Sequence, residues 1–270
     1  MTKGILFIAI GEQWQHEAAL SASIVKKYMP SLPITVFTDQ HFYSPFVDNV
    51  CLVQREMNPL LTKTICMNLS PYDYTLFLDT DITLCENIED IFLLLDRFDL
   101  AVPHAPYRLE NMGLSIPLPG FLSEDVPASF PGMNTGMLLF KHSEKIQNFF
   151  LSWREYHQQL CSLIPGAPNQ PAFRTSLYRS DLRFAIIPEE YHCRFIYPFK
   201  VCGKVKVLHG RHPDIEFVIN QLNSSALPRI GEGYFVEASK KTFPDQSMLP
   251  QHPMNGIPNG GIITLLKPEN

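Results

Sequence analysis

Over the first 100 residues, short β-rich apolar runs alternate with stretches of helical periodicity, and this alternation constrains the fold more than any other feature. The predicted strands span 4–10, 34–38, 50–53 and 74–78, and the predicted helices between them span 17–28 and 58–69. Parallel strands need a long crossover connection, which is usually a helix. We therefore expect an α/β fold with a mostly parallel central sheet flanked by helices.

The second half of the chain continues the pattern less regularly. Further strands are predicted at 100–102, 137–140, 184–187 and 204–208, and helices at 87–95, from 143 onward and at 170–178. Residues 104–133 contain closely spaced prolines, so we expect a long loop there. From 231 to 270 the chain is rich in Pro and Gly with little periodicity, which predicts an irregular tail.

Composition excludes several classes of protein. The net charge of −5 provides no field that would hold a polyanion, so we expect no nucleic-acid partner. The apolar run at 5–10 is too short for a signal peptide or a transmembrane segment, and we expect a cytoplasmic chain that starts at Met1. The six cysteines are scattered and form no CxxC pair, which favours reduced, structural thiols.

Two carboxylates, Asp79 and Asp81, follow the apolar strand at 74–78. Alternate side chains of an extended chain share a face, so both carboxylates can point at one spot beyond the strand end. Their charges repel unless a cation lies between them, and oxygen ligands of this kind suit Mg²⁺ or Mn²⁺. The alternative is a solvated strand end where Asp forms a turn.

The stretch from Asp79 to Thr83 also resembles the Asp-x-Asp-x-Thr motif of haloacid-dehalogenase-type phosphatases. That family has its motif on the first strand and a later Gly-Asp pair. Here three predicted strands precede the motif and no Gly-Asp pair follows it.

An ordered series of motifs over residues 1–210 resembles the GT-A-fold glycosyltransferases, in particular their glycogenin-like and bacterial galactosyltransferase-like branch. In chain order the motifs are Ala9-Ile10-Gly11, Lys63, Leu78-Asp79-Thr80-Asp81, Asn134-Thr135-Gly136, Asn169-Gln170 and His209-Gly210-Arg211. The resemblance implies a single GT-A (Rossmann-like) domain at 1–230. Residues 1–103 would be its nucleotide-binding half and 104–230 its acceptor-side half, followed by the tail at 231–270.

The same resemblance implies a glycosyltransferase of the hexosyltransferase type. It would use Mn²⁺ or Mg²⁺ to transfer a sugar from a nucleotide-sugar donor, most simply a UDP-sugar, with retention. The acceptor would be a hydroxyl group of a glycan, a protein or a small molecule. The loop at 104–133 would then be an acceptor loop or a lid.

Site residues follow from the resemblance position by position. The metal ligands would be Asp79, Asp81 and His209, with His212 as an alternative third ligand. The catalytic set would be Asp79, Asp81, Asn169 and Gln170, the last two hydrogen-bonding the sugar. The donor-binding set would be Ala9, Ile10, Gly11, Asp39, Lys63, Thr80, Asn134, Thr135, Gly136, Gly210 and Arg211.

Two positions depart from the family pattern. Asn169 stands where relatives often have Asp, and an amide cannot act as a nucleophile. Pro213-Asp214 stands where fuller versions of the late motif have a lysine and an aromatic residue. A phosphatase and a non-catalytic sugar-nucleotide-binding module therefore remain as alternative functions.

Overall fold

The computed structural model describes residues 1–56, 59–105, 126–127, 129–231, 233 and 263–265. Most of the predicted loop at 104–133 and most of the predicted tail at 231–270 lie outside these ranges. The division into two half-domains and a tail therefore stays a prediction.

The described residues form strands and helices in alternation. The strands are β1 (Lys3–Ala9), β2 (Ile34–Thr38), β3 (Asn49–Leu52), β4 (Tyr74–Leu78), β5 (Ile82–Leu84), β6 (Leu100–Pro103), β7 (Met137–Lys141), β8 (Phe184–Ile187), β9 (Phe199–Val201), β10 (Val207–His209), β11 (Arg229–Gly231) and β12 (Ile263–Leu265). The α-helices are α1 (Glu12–Tyr28), α2 (Pro59–Met67), α3 (Glu144–Leu163), α4 (Gln170–Arg179) and α5 (Ile215–Asn223), and 3-10 helices span Glu89–Asp96 and Glu189–Tyr191. None of the described helices is both long enough and apolar enough to cross a bilayer.

Seven strands build the central sheet in the order β3-β2-β1-β4-β7-β6-β8. All of them are parallel except β7, which runs antiparallel to both of its neighbours, β4 and β6. The predicted fold class, a mostly parallel sheet flanked by helices, is confirmed. Because β7 is reversed, its first residues lie at the same sheet edge as the last residues of β1 and β4. Residues from three separate motifs therefore meet at one edge.

Helices cover the sheet on both faces, as the alternation of side chains along β1 requires. Ile5 and Phe7 pack in the cluster that contains the buried face of α1, whereas Leu6 packs in the cluster that contains α3 and α4. A strand buried on both faces reads as a continuous apolar run, which is why β1 and β4 were recognisable in the sequence.

Most predicted elements are confirmed, and the differences have local causes. The bounds of β2, β4 and β8 are as predicted, but α1 begins at Glu12 rather than at residue 17. Gly11 has a φ of 101°, so the chain turns directly from β1 into the helix. The predicted strand at 204–208 is β10, at 207–209, because its partner β5 has only three residues.

Two smaller sheets attach to the edge of the domain. The antiparallel pair β5 and β10 places His209 opposite Ile82, one residue after Asp81. The other small sheet has the order β12-β11-β9, so residues 263–265 of the predicted tail form a strand.

Helix α3 holds the chain that leads into α4. The indole Nε1 of Trp153 donates to the carbonyl oxygen of Asn169 (2.9 Å), and Nε2 of His157 lies 3.0 Å from the carbonyl oxygen of Ala167. Leu160 packs beneath this connection against Ala167. These contacts determine where Asn169 and Gln170 begin the next helix.

We predict that Leu160→Ala lowers the free energy of unfolding by about 2–5 kcal/mol, because it removes a fully buried side chain. Leu163→Ala, three residues later on α3, is the matched control: Leu163 is 55% exposed, and its truncation should change the stability by less than about 0.5 kcal/mol. Urea unfolding followed by circular dichroism measures both, and equal effects would contradict the packing described here.

Candidate active site

Two acids and a histidine come together at the sheet edge where β4 ends. Asp79, Asp81 and His209 each offer one ligand atom, and these atoms all lie within 4.8 Å of one another. The acids follow β4, and the histidine ends β10. The residues that the sequence singled out as metal ligands are therefore neighbours in space.

Backbone contacts hold these residues in place. The amide of Asp79 donates to the carbonyl oxygen of Gly136 (2.7 Å), and the amide of Gly210 donates to that of Asp81 (3.0 Å). The hydroxyl of Ser21, on α1, lies 2.5 Å from the carbonyl oxygen of Thr80 and 3.1 Å from that of Ile82. The turn that carries both acids is thus fixed by the residue before β7, by α1 and by the residue after β10.

Position 136 requires glycine because neighbouring side chains lie where a Cβ would be, and not because of an unusual backbone angle. A Cβ at this position would overlap the His209 ring and come within 2.9 Å of Oδ2 of Asp79. Any side chain at 136 would consequently displace two of the three candidate ligands.

A second histidine, His192, supports the first. Nδ1 of His209 lies 2.7 Å from Nε2 of His192, and both rings are buried. Burial, together with the charge of Arg194, lowers the pKa of His209, and burial lowers the pKa of His192 further still. Nε2 of His209 lies 3.3 Å from Oδ1 of Asp81. If a cation took the lone pair of Nε2, the neutral ring would carry its proton on Nδ1 and could donate it to His192.

This donor set suits a divalent cation. Two carboxylates and a neutral imidazole are acceptable ligands for Mn²⁺, and a histidine ligand commonly donates its other N–H to a neighbour that orients the ring. His192 meets that second requirement. The residues present therefore fit the predicted metal.

Three cationic side chains surround the two acids. Nζ of Lys63 lies 2.8 Å from Oδ1 of Asp79, while Nη1 of Arg211 and Nη1 of Arg194 lie 3.2 Å and 3.6 Å from Oδ2 of Asp81. Burial would raise the pKa of Asp81, but the interactions with His209 and the two guanidiniums together hold it well below its usual range. Asp81 is thus a carboxylate at neutral pH.

Glu17 of α1 anchors Arg211. Its two carboxylate oxygens accept from Nε (2.5 Å) and Nη2 (2.8 Å) of Arg211, a bidentate pair. The hydroxyl of Thr80 also donates to Glu17, and the guanidinium carbon of Arg211 lies 5.0 Å from the ring centre of Trp14. Burial lowers the pKa of Arg211, but Glu17 and Asp81 outweigh burial and raise it.

A cavity of about 420 Å³ opens onto this cluster, a volume within the usual range for small-molecule sites. Its lining combines apolar and charged side chains: Ile8, Ile10, Trp14, Leu60, Lys63, Phe77, Asp79, Thr80, Asp81, Asn134, Gln170, Arg194, His209 and Arg211. Three of these carry a positive charge and two a negative one. A divalent cation would add to the positive excess, so the cavity suits an anionic ligand.

Five residues of the predicted donor-binding set line this cavity, namely Ile10, Lys63, Thr80, Asn134 and Arg211, and so does Gln170 of the predicted catalytic set. Others lie directly behind the lining. The amide of Gly136 donates to Oδ1 of Asn134 (2.8 Å), and the hydroxyl of Thr135 donates to Oδ1 of Asn169 (2.9 Å). With Gly210, these residues hold the lining in position.

The remaining predicted residues lie away from the cavity lining. Ala9 is fully buried in the core, and the amide of Gly11 donates to Oδ1 of Asp39 (2.8 Å). Nδ1 of His212 lies 2.8 Å from the carbonyl oxygen of Asp214, so His209 rather than His212 adjoins the two acids. Nucleotide contacts of Ala9, Gly11 and Asp39 stay predictions.

Two amide atoms at the start of α4 are buried without a hydrogen-bond partner in the described structure. They are Nδ2 of Asn169 and Oε1 of Gln170. An unpaired buried polar atom is costly unless a ligand or water satisfies it. A ligand rich in hydroxyl groups could pair with the Gln170 oxygen, because Gln170 lines the cavity.

Sequence reasoning missed three residues of the site, Glu17, His192 and Arg194. Trp14 of α1 packs against the core and also lines the cavity. Glu17 and Arg211 are 194 positions apart, and no local pattern reports a pairing over that distance.

Comparison with known proteins identifies the fold and not the family. No protein-family model matches the sequence, and no curated protein matches it. The crystal structure of mouse xyloside xylosyltransferase 1 in its apo form is similar in fold, with a TM-score of 0.51 at 14% sequence identity. The similarity covers 78% of this chain and 98% of that chain. The chain thus has a GT-A-like glycosyltransferase fold.

We predict that Gly136→Ala weakens Mn²⁺ binding about tenfold or more, because the new methyl group displaces both His209 and Asp79. Gly203→Ala is the matched control, since a Cβ there would meet only Cγ of Glu190, at 3.9 Å. Titration of Mn²⁺ followed by electron paramagnetic resonance measures the affinities. Equal Mn²⁺ binding by the two variants would contradict this description of the site.

We also predict that His192→Phe weakens Mn²⁺ binding by about 10–100-fold, because the acceptor that orients His209 is lost while the ring volume is kept. The exposed His142 provides the control variant His142→Phe, which should bind as the wild type does. Calorimetric Mn²⁺ titration reports the affinities, and a folded His192→Phe protein with unchanged affinity would disprove the orienting role.

Proposed function

We propose that this chain is a metal-dependent glycosyltransferase that transfers a sugar from a UDP-sugar to a hydroxyl acceptor. The observation that carries the proposal is the cluster of Asp79, Asp81 and His209 at the mouth of a cavity in a GT-A-like fold. The fold neighbour is itself named a xylosyltransferase, which supports sugar transfer as the class of reaction.

In this proposal Asp79, Asp81 and His209 hold Mn²⁺ or Mg²⁺. The bound cation would supply Lewis-acid stabilisation of the negative charge that develops on the departing diphosphate. Lys63 and Arg211, which already contact the two acids, orient the carboxylates and add positive charge at the same place. Because these groups are held by the fold before the donor binds, they need little reorganisation during the reaction.

The sugar would lie near Asn134, Asn169 and Gln170. The unpaired oxygen of Gln170 can accept a hydrogen bond from a sugar hydroxyl, while Thr135 and Trp153 hold Asn169 in place. Asn169 is an amide, so we assign it a binding role and not that of a nucleophile. Transfer with retention, of the hexosyltransferase type, is proposed from the sequence resemblance to the glycogenin-like and bacterial galactosyltransferase-like branch.

The alternative functions have less support. A haloacid-dehalogenase-type phosphatase would need its motif on the first strand, whereas Asp79 follows β4 and pairs with Lys63. A non-catalytic binding module would share the cavity but would not consume the donor. The acceptor, which could be a glycan, a protein or a small molecule, and the cytoplasmic location stay predictions from the sequence.

We predict that UDP binds to the wild-type chain with Mn²⁺ and that chelation of the metal weakens this binding about tenfold or more, because Asp79 and Asp81 would hold a cation whose positive charge would attract the diphosphate. The double variant Asp79→Asn/Asp81→Asn should lose the metal-dependent binding. Asp181→Asn is the control, because Asp181 is a surface carboxylate paired only with Lys145 in the described structure. Isothermal titration calorimetry measures all three proteins.

A panel of UDP-sugars with simple acceptors then tests turnover. Consumption of one donor, lost in the double variant, would support the proposal. UDP binding that is unchanged by chelation of the metal and by the double substitution would refute the proposed site. Hydrolysis of an aryl phosphate without UDP binding would indicate the phosphatase, and donor binding without consumption would indicate the binding module.

A further inference from the structure

Arg194 reaches the cavity from a segment in which the sequence shows no motif. The chain after the 3-10 helix Glu189–Tyr191 runs beside β10 through a parallel bridge between Cys193 and Leu208. In this bridge the amide of Cys193 donates to the carbonyl oxygen of Val207 (2.8 Å), and the amide of His209 donates to that of Cys193 (2.9 Å). This pairing fixes Arg194 alongside His209.

The guanidiniums of Arg194 and Arg211 converge on a single carboxylate oxygen. Oδ2 of Asp81 lies 3.2 Å from Nη1 of Arg211 and 3.6 Å from Nη1 of Arg194, and the second distance is too long for a hydrogen bond. Oδ1 of Asp81 faces His209 instead. One carboxylate therefore does not satisfy both guanidiniums.

The two arginines differ in what else they contact. Nε and Nη2 of Arg211 are bound by Glu17, whereas Nη1 of Arg194 is buried and has no hydrogen-bond partner in the described structure. A buried, charged N–H without an acceptor is unfavourable. Arg194 also lines the cavity, so an acceptor could reach this group from the ligand side.

We propose that Arg194 and Arg211 together bind the diphosphate of the donor, with Arg194 providing the Nη1 group that has no hydrogen-bond partner in the described structure. This inference rests on the proposed function, because it names the anionic part of the ligand that the same cavity takes. When Asp81 holds a cation, its oxygens are less available to the arginines. Two phosphate groups then offer the acceptors that two guanidiniums require, in a geometry that arginine matches well.

The competing role for Arg194 is structural neutralisation of Asp81. In that role, removal of the positive charge would leave anion binding unchanged and would tighten Mn²⁺ binding, because a competing cation is gone. In the role proposed here, removal weakens the binding of any diphosphate, with or without a nucleoside. Inorganic pyrophosphate is therefore the decisive probe, since its binding does not depend on the base or the sugar.

The test compares Arg194→Gln and Arg194→Lys with wild type by calorimetry, using Mn²⁺ alone, pyrophosphate with Mn²⁺, and UDP with Mn²⁺. Arg194→Gln should weaken both diphosphate ligands by about tenfold or more and by a similar factor, because one charge-assisted hydrogen bond is lost. The affinities of Arg194→Lys should lie between those of wild type and Arg194→Gln, since lysine keeps the charge but not the planar pair of donors. The exposed Arg97 provides the control variant Arg97→Gln.

The salt dependence of the pyrophosphate affinity is a second measurement, and a purely structural role of Arg194 would not change it. The affinity of wild type for pyrophosphate should fall more steeply with KCl than that of Arg194→Gln, because the variant has one ionic contact fewer. Thermal unfolding of each variant shows whether it is folded. If Arg194→Gln does not fold, the Arg194→Lys protein is used instead. A several-fold loss of its affinity for pyrophosphate and UDP supports the proposal, and an unchanged affinity overturns it.

The outcomes separate this inference from the proposed function. If wild type and Arg194→Gln bind both diphosphates equally, the role of Arg194 is refuted, whereas metal-dependent UDP binding through Asp79 and Asp81 still stands. If wild type binds no diphosphate with Mn²⁺ or Mg²⁺, both proposals fail.

Discussion

The pairing of β5 with β10 is the interaction on which the candidate site depends. Three backbone pairs join residues 82–84 to residues 207–209, and through them His209 arrives beside Asp81. Arg211 follows β10 by two residues and reaches the cavity, and the bridge between Cys193 and Leu208 of β10 fixes His192 and Arg194. The acids at the end of β4 would otherwise have neither their histidine nor two of their three cations.

The charge arrangement of the site is closely balanced. Among the described residues, Asp79, Asp81 and Glu17 face Lys63, Arg194 and Arg211, three charges of each sign. Buried charges are tolerated when they are paired in this way. A divalent cation together with a doubly charged diphosphate would enter without changing that balance, whereas either one alone would leave an uncompensated charge. This provides a physical reason for metal and diphosphate to bind together.

The sequence predicted the features that depend on residues close together along the chain, and it missed those that depend on residues far apart. Strands β2, β4 and β8 were predicted within their bounds because they are short apolar runs, and such runs depend on local sequence. The start of α1 was misplaced because it depends on the backbone angle of Gly11, which the apolar pattern does not report. Lys63, Asn134 and Gln170 were named from motifs and line the cavity. Glu17, His192 and Arg194 belong to no motif, and their partners are far away along the chain.

By itself, the sequence determined the α/β class, the strand that carries Asp79 and Asp81, and the histidine at the end of a late strand, because periodicity and strand ends are local properties. Tertiary structure alone decided that β7 runs against its neighbours, that β5 pairs with β10, and that the guanidinium of Arg194 faces the same carboxylate as Arg211. These features depend on contacts between distant segments, whose free energy comes from packing and hydrogen bonding across the whole domain rather than from any window of residues.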